Sequence, residues 1–521
     1  MKRVKLLIKG DVLIAVLVVC VAIALYFGSA VQAAAADEYE HLKIGLPRKI
    51  AGVDPLGYPR LSRAELDVQM AFFDHLFRRN EKGEIVGHLA EGYKWIDPNT
   101  FRVMLRQGVK FHNGDEFTAE DVKWSIEDML NPDRGPGLVG VVKGITEVRV
   151  IDKYTADIIT EAPIPVLPAK LACYTLMVSG KERSTKSPQE YENKPMGTGP
   201  FKFVEWEKGK HVIAVRNEDY FLGMPKIKKV TFYPIDDYNT RLSALKSGNI
   251  DIAIDINPSQ AKELEKTPGF EVTATPSART EWVWIRTDVK PFDDKRVRQA
   301  LNYAINKQEY VQALLEGYGL PSGQPTPPYF FGHNPNVGLY EYNPEKAKQL
   351  LAEAGVPKNF TIVYETPAIF EERARGVAGY LEAIGLKVKV ESKEFGAAYA
   401  DLLERKARPL FHLNWGNWSL LDIDGTLLDC FGCTNKDTGA GRWSYYCNPR
   451  IDGIIKDIRT IDEAKRLELA HEASKIIHED AAVIFLFTHY DIHGKREGIP
   501  EFKARLDNTF RLKWMKGGGE Y

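Results

Sequence analysis

From Glu281 onward, the apolar residues of this chain switch repeatedly between two spacings. "EWVWIRT", "FTIVYET", "LKVKVESKEF" and "AAVIFLFTHY" read as strands, the first three by alternation. Between them, "DKRVRQALNYAINKQEYVQALLE", "PEKAKQLLAEAG", "FEERARGVAGYLEAIG" and "DEAKRLELAHEASKIIHED" place apolar residues at i, i+3 and i+4, the period of helices. Strands that alternate with helices bury both patterns when the helices cover a sheet, so this part of the chain is predicted to be α/β. The stretch 319–336 interrupts it with five prolines and must be an extended loop.

The N-terminal half reads the same way with more hairpins. "HLKIGLP" is a predicted strand, and "RAELDVQMAFFDHLFRR" a single predicted helix. "ITEVRVIDKYTADIIT" and "TGPFKFVEWEKGKHVIAVRN" are predicted strand pairs. "IKKVTFYPI", "YNTRLSALKSGN" and "IDIAIDI" form a strand–helix–strand run, which predicts a parallel pair. Around Thr275, Pro276 and Ser277 the chain enters a second unit. At 521 residues it is too long for one core, and two or three domains, or two lobes of several segments, are expected. A formal net charge of −1 gives no basic excess to attract nucleic acid.

The N-terminus sets the compartment. Lys2, Arg3, Lys5 and Lys9 precede 19 uncharged residues, 12–30, followed by "VQAAAADEYE". This is the order of a secretory signal, although the run is also long enough to span a bilayer. Residues 1–36 are therefore a signal peptide or a retained anchor, and either places the rest outside the cytoplasmic membrane. Export permits disulfides. Of five cysteines, Cys430, Cys433 and Cys447 cluster. A bridge to Cys447 from Cys433 or Cys430 is the favoured reading, ahead of free thiols or a metal site, which would need about two more ligands.

At "LRQGVKFHNGDEFTAEDVKWSIE" (105–127) the chain closely resembles the family 5 extracellular solute-binding proteins, receptors of peptide, nickel and opine ABC importers. "GTGPFKF" (197–203), "RLSALKSGNIDIA" (241–253), "PFDDKRVRQALNYAINKQ" (291–308) and "ASKIIHEDAAVIFLF" (473–487) fit in the same order. The resemblance implies a two-lobed α/β periplasmic binding protein of type II, of the large cluster C kind. Its first lobe would be residues 37–280, with an extra subdomain at about 60–190. Residues 281–489 would be the second lobe, and 490–521 would return to the first. It also implies a monomer that closes on a solute and delivers it to permease subunits. No enzyme activity, cofactor or nucleic-acid partner is implied, and membrane contact comes only through the N-terminal segment or the permease. The signature stretch itself reads as structural: Gly108, Asn113 and Gly114 as turns, Phe111 and Phe117 as core, Trp124 on a helix face.

In peptide-binding relatives the segment matching "NWGNW" (414–418) lines the cleft. The position that often holds an amine-binding aspartate there is Trp418 here. No arginine precedes the helix that matches 370–385, where some dipeptide receptors hold a carboxylate. A simple dipeptide is therefore disfavoured, while a larger peptide, an opine-like conjugate, a sugar or a chelate stays open. The candidate ligand contacts are Trp415, Trp418, Asn414, Gly416, Asp422 and Asp424, then Trp282 and Trp284 on one strand face, then Tyr174 and Asp54. Flat rings suit sugars, aromatic groups and cations. Against this, Trp415 could pack between lobes and the aspartates could cap a turn.

Rival classes fit less well. Asp422, Ile423, Asp424 and Gly425 open like a calcium loop, but Thr426 and Cys433 fall at ligand positions. A secreted glycan hydrolase would use paired carboxylates, but residues two apart on a strand are only about 7 Å apart on one face. Acid–base pairs usually come from separate elements. A membrane-anchored sensor on the same fold is the remaining alternative.

Overall fold

The computed structural model describes residues 38–56, 63–134, 136–416, 420–434, 441, 443–499, 502–506 and 509–512. Residues 1–36 and Trp418 lie outside them. Among the described residues no helix is long and apolar enough to cross a membrane.

One sheet of eleven strands carries both halves of the chain. Its strands are β1 (Tyr39–Leu46), β2 (Phe201–Glu207), β3 (His211–Arg216), β4 (Ile227–Pro234), β5 (Ile252–Ala253) and β6 (Phe270–Ile285). They continue with β7 (Gly319–Pro321), β8 (Thr361–Pro367), β9 (Lys387–Lys393), β10 (Leu410–Gly416) and β11 (Val483–Arg496). The order across is β9-β8-β10-β6-β11-β5-β1-β4-β3-β2, with β7 on β11. The predicted strand–helix–strand run forms, with its helix at Tyr238–Lys246. Its two strands are not neighbours, however. β1 inserts between β4 and β5 and pairs in parallel with each. Leu42, Ile44 and Leu46 of β1 are fully buried, as a central strand requires.

β6 and β11 tie the two halves together. They pair antiparallel from Phe270–Arg496 to Pro276–Tyr490, lose register, and resume at Thr280–Thr488. Between these points β6 carries Ser277, Ala278 and Arg279 where β11 carries only His489. Extra residues on one strand bend and twist a ladder, so this is a bend point in the ribbon, followed by a smaller register shift between Glu281 and Trp282. Before it β11 adjoins β5, and beyond it β6 adjoins β10.

Alternation on β6 feeds two cores. Trp282 and Trp284 pack with Phe431, Tyr446 and Ile477, whereas Val283 and Ile285 pack with Leu301, Tyr310 and Val377. A third core lies in the N-terminal half, where Leu42, Ile44 and Leu46 of β1 gather with Phe72, Phe101 and Phe232.

Residues 90–160 add a separate antiparallel sheet of Ala90–Asp97, Thr100–Leu105, Thr155–Thr160 and Ile145–Asp152, in that order. The helix Ala119–Leu130 packs beside it. At its start the Asp121 carboxylate accepts from the Thr118 backbone N–H (3.0 Å) and hydroxyl (3.2 Å). Phe111 and Phe117 are buried with ring centres 5.9 Å apart, and Gly108 and Gly114 hold φ of 75° and 91°.

Two sequence expectations need correction. The single helix predicted from Arg63 ends at Gln69, and Phe77–Arg79 is a strand instead. The reason is long-range: the Ala71 and Phe72 carbonyls accept from the N–H groups of Phe201 and Gly199. A Cβ at Gly197 would lie 2.1 Å from the Phe72 oxygen, so only glycine allows that approach. A helix at Phe395–Leu403 was also absent from the sequence reading.

Candidate functional site

β8 and β10 run parallel, with Tyr364 beside Leu410 and Glu365 beside Phe411. β10 ends at Asn414, Trp415 and Gly416, which lie opposite Glu281, Thr280 and Arg279 of β6. Three predicted contacts thus sit at the carboxyl edge of the second-half sheet, beside the bend in β6. Such edges are where open α/β sheets leave crevices for ligands.

The first half of the chain meets this edge. Arg79 donates to the Leu420 carbonyl. A Cβ on Gly83 would come within 3.3 Å of Leu421. Lys170, on the helix Leu167–Cys173, faces Asp424: burial pulls its ammonium pKa down and Asp424 opposes that pull. Tyr174 ends the same helix, half-buried against the N-terminal core.

Trp415 is half-buried, its ring centre 5.4 Å from Trp443, which stands 5.0 Å from Tyr399. Its indole N–H is buried and has no acceptor among the described residues. A buried donor left unpaired costs about 1–3 kcal/mol, so a solute oxygen placed there would recover that cost.

Other predicted contacts are engaged elsewhere. Asp422 accepts from the Asp424 backbone N–H at 2.9 Å and pairs with buried Arg466 at 2.6 Å. It caps the short helix Ile423–Thr426. Burial and the neighbouring Asp422 charge push the Asp424 carboxyl up, against Arg466, Arg459 and Lys170. This pair therefore serves a turn and the contact between halves, which also removes its appeal as a hydrolytic pair. Trp282 and Trp284 are 0 % and 1 % exposed, and Trp284 donates to the Leu413 carbonyl at 3.1 Å. Their shared face is covered by Phe431 and the helices behind it, so it does not reach the edge. Asp54 is buried and paired with buried Arg183 at 3.2 Å, a structural use of its charge. Cys433 and Cys447 form a disulfide, and Cys430 is a buried thiol that burial pushes well up.

The sequence reading missed a charged cluster at the same edge. Glu281, fully buried, accepts from Arg373 (2.8 Å), and its carboxylate meets His412 (2.6 Å) and His489 (2.7 Å). Burial alone would raise its carboxyl, but Arg373, His412 and His489 hold it well below the usual range. Two residues back on β6, Arg279 donates to buried Asp491 at 2.9 Å. The only sequence signal for these groups was a run of charges interrupting apolar strands, which does not identify their partners.

The model for "Bacterial extracellular solute-binding proteins, family 5 Middle" matches residues 84–438. The chain is 29 % identical over 459 residues to the glutathione-binding protein GsiB of Pectobacterium atrosepticum, covering 86 % of this chain and 88 % of that one. It is similar to the Helicobacter pylori periplasmic binding protein DppA solved with the peptide STSA, at 26 % identity and TM-score 0.71, covering 92 % and 99 %. HbpA2 of Haemophilus parasuis shares the fold at TM-score 0.80 and 21 % identity, covering 91 % and 100 %. With a two-part sheet, a bent two-strand connection and a family match across most of its length, the chain belongs to the bacterial extracellular solute-binding proteins of family 5, the solute receptors of ABC importers.

Proposed function

We propose that this receptor captures a peptide-like solute, of about the size of glutathione, in the crevice beside Asn414, Trp415 and Gly416. The observation that carries the reading is the buried indole N–H of Trp415, which has no acceptor among the described residues, at the sheet edge where the two halves meet. Relatives named for glutathione and peptide support the solute class. The lobes are residues 37–280 with the return from 490, and 281–489. They close about the bend at Ser277, Ala278 and Arg279, and solute contacts offset the cost of closure. The chain acts as a non-catalytic monomer outside the cytoplasmic membrane, exported by residues 1–36, and hands its solute to permease subunits.

Isothermal titration of the mature chain with glutathione, a tripeptide and a sugar panel tests this. Binding of a peptide-like solute that weakens on Trp415→Ala supports it. Binding of a sugar with no response to any peptide overturns it.

A further inference from the structure

The hairpin at the far end of the first-half sheet carries a cluster that the crevice does not use. β2 is the edge strand, six strands from β6 in the order of the sheet, roughly 30 Å at the usual strand spacing. A tight turn joins β2 to β3: the Lys210 N–H donates to the Glu207 carbonyl at 2.9 Å, and Gly209 takes φ of 76°. Alternation then sorts the side chains. Trp206 and Val212 lie opposite each other and pack on the N-terminal core. Glu207 lies opposite His211, and Glu205 opposite Ile213, so both glutamates and the histidine share the outer face. A register shift between Phe203 and Glu205 sets this phase, and such irregularities re-aim side chains.

One donor atom from each of Glu205, Glu207 and His211 lies within 4.8 Å of the other two. The His211 Nε2 is 3.2 Å from a Glu205 carboxylate oxygen, close to the ~3.3 Å that separates two donors on a tetrahedral zinc ion. The His211 side chain is 21 % exposed, and its ring packs against Tyr233 of β4 with 6.4 Å between centres, which limits how it can turn. Charges on an edge strand keep it from pairing with another chain, but that role asks only that they stand in water. Like charges repel, so carboxylates with no further task would turn apart. Here they converge on an imidazole. Lys210 pairs with Glu207 and holds that carboxyl below its usual value. An ion pair this exposed is worth little, so a divalent cation can displace the lysine.

We propose that Glu205, Glu207 and His211 form a binding site for a divalent transition-metal ion, zinc in type, on the outer face of the first-half sheet. One imidazole nitrogen and two carboxylates are a donor set for Zn²⁺, whereas Mg²⁺ and Ca²⁺ prefer oxygen alone. Three protein ligands leave a fourth position for water, so the ion exchanges with solvent. The site is separate from the solute crevice and does not depend on which solute binds there. A bound ion ties β2 to β3 at the end of the sheet, where no further strand adjoins β2 among the described residues.

The test is calorimetric titration of the mature, untagged chain, stripped with EDTA and then freed of it, with ZnCl₂ and separately with MgCl₂. Wild type should take one Zn²⁺ per chain and no Mg²⁺. His211→Gln should weaken zinc by at least ~10-fold, since even a partner standing behind a ligand is worth that much. Glu207→Gln should weaken it as well. Lys210→Met should tighten it, because the competing ammonium is gone; charges that served only to keep the edge in water would give no such response. These side chains all reach the surface, so the variants should melt with wild type when zinc is absent. No zinc uptake, uptake that His211→Gln leaves unchanged, or a magnesium response equal to that of zinc overturns the proposal.

Discussion

Replacing Glu281 with glutamine removes the one negative charge that Arg373, His412 and His489 share within 2.8 Å. Breaking a buried ion pair from one side costs about 3–5 kcal/mol, because the partner stays behind uncompensated. Arg373 keeps some contact with water, which places the expected loss near the lower end, about 3 kcal/mol. For a unit of about 150–250 residues, each kcal/mol moves the melting temperature by about 2–4 °C, so Glu281→Gln should melt roughly 6–12 °C lower near neutral pH. The sign of the pH dependence follows from the depressed carboxyl. A carboxyl held below its unfolded value contributes stability that is present above that value, about 4.3, and is lost as pH falls through the folded one. The gap between wild type and variant should therefore be full at about pH 7 and shrink below about pH 4. Differential scanning calorimetry across that range reads both quantities. A variant that melts with wild type at neutral pH, or a gap that grows in acid, would refute the reasoning.

Other outcomes follow from the same contacts. Trp282→Ala should destabilise by about 3–5 kcal/mol by urea titration while glutathione affinity of the folded protein holds, because the ring is core and not crevice. Arg183→Met should cost about 3–5 kcal/mol by leaving Asp54 buried without its partner, again without a change in solute Kd. Removing the Cys433–Cys447 disulfide, whose ends are 14 residues apart, should cost about 3 kcal/mol, measured by melting with and without reductant.

Much of the architecture was legible because it rests on local spacing. The alternation of β6 and the helix periods after it are written in short stretches, and so are the turn glycines Gly108 and Gly114. The end of the first helix at Gln69 was not, because carbonyls of Ala71 and Phe72 are claimed by residues 199–201 far along the chain. The site divided in the same way. Asn414, Trp415 and Gly416 were named from the family resemblance, and the strand Leu410–Gly416 that carries them to the edge was not among the predicted ones. Asp54 and Asp422 looked available as isolated acids, but each had a buried arginine waiting from a distant segment, Arg183 and Arg466.

By itself, then, the amino-acid order determined the α/β alternation, the export-type N-terminal pattern and the family resemblance, since each is carried by residues close together in the chain. Only the tertiary structure decided which charges are paired off and which remain open. Trp282 and Trp284 share a face on their strand, but Phe431 and Tyr446 cover it. Arg279 and Arg373, 94 positions apart in the sequence, both act on His489, and each pairs with a buried acid, Asp491 and Glu281. Burial and pairing depend on segments that are distant along the chain, and no local pattern encodes which of them will meet.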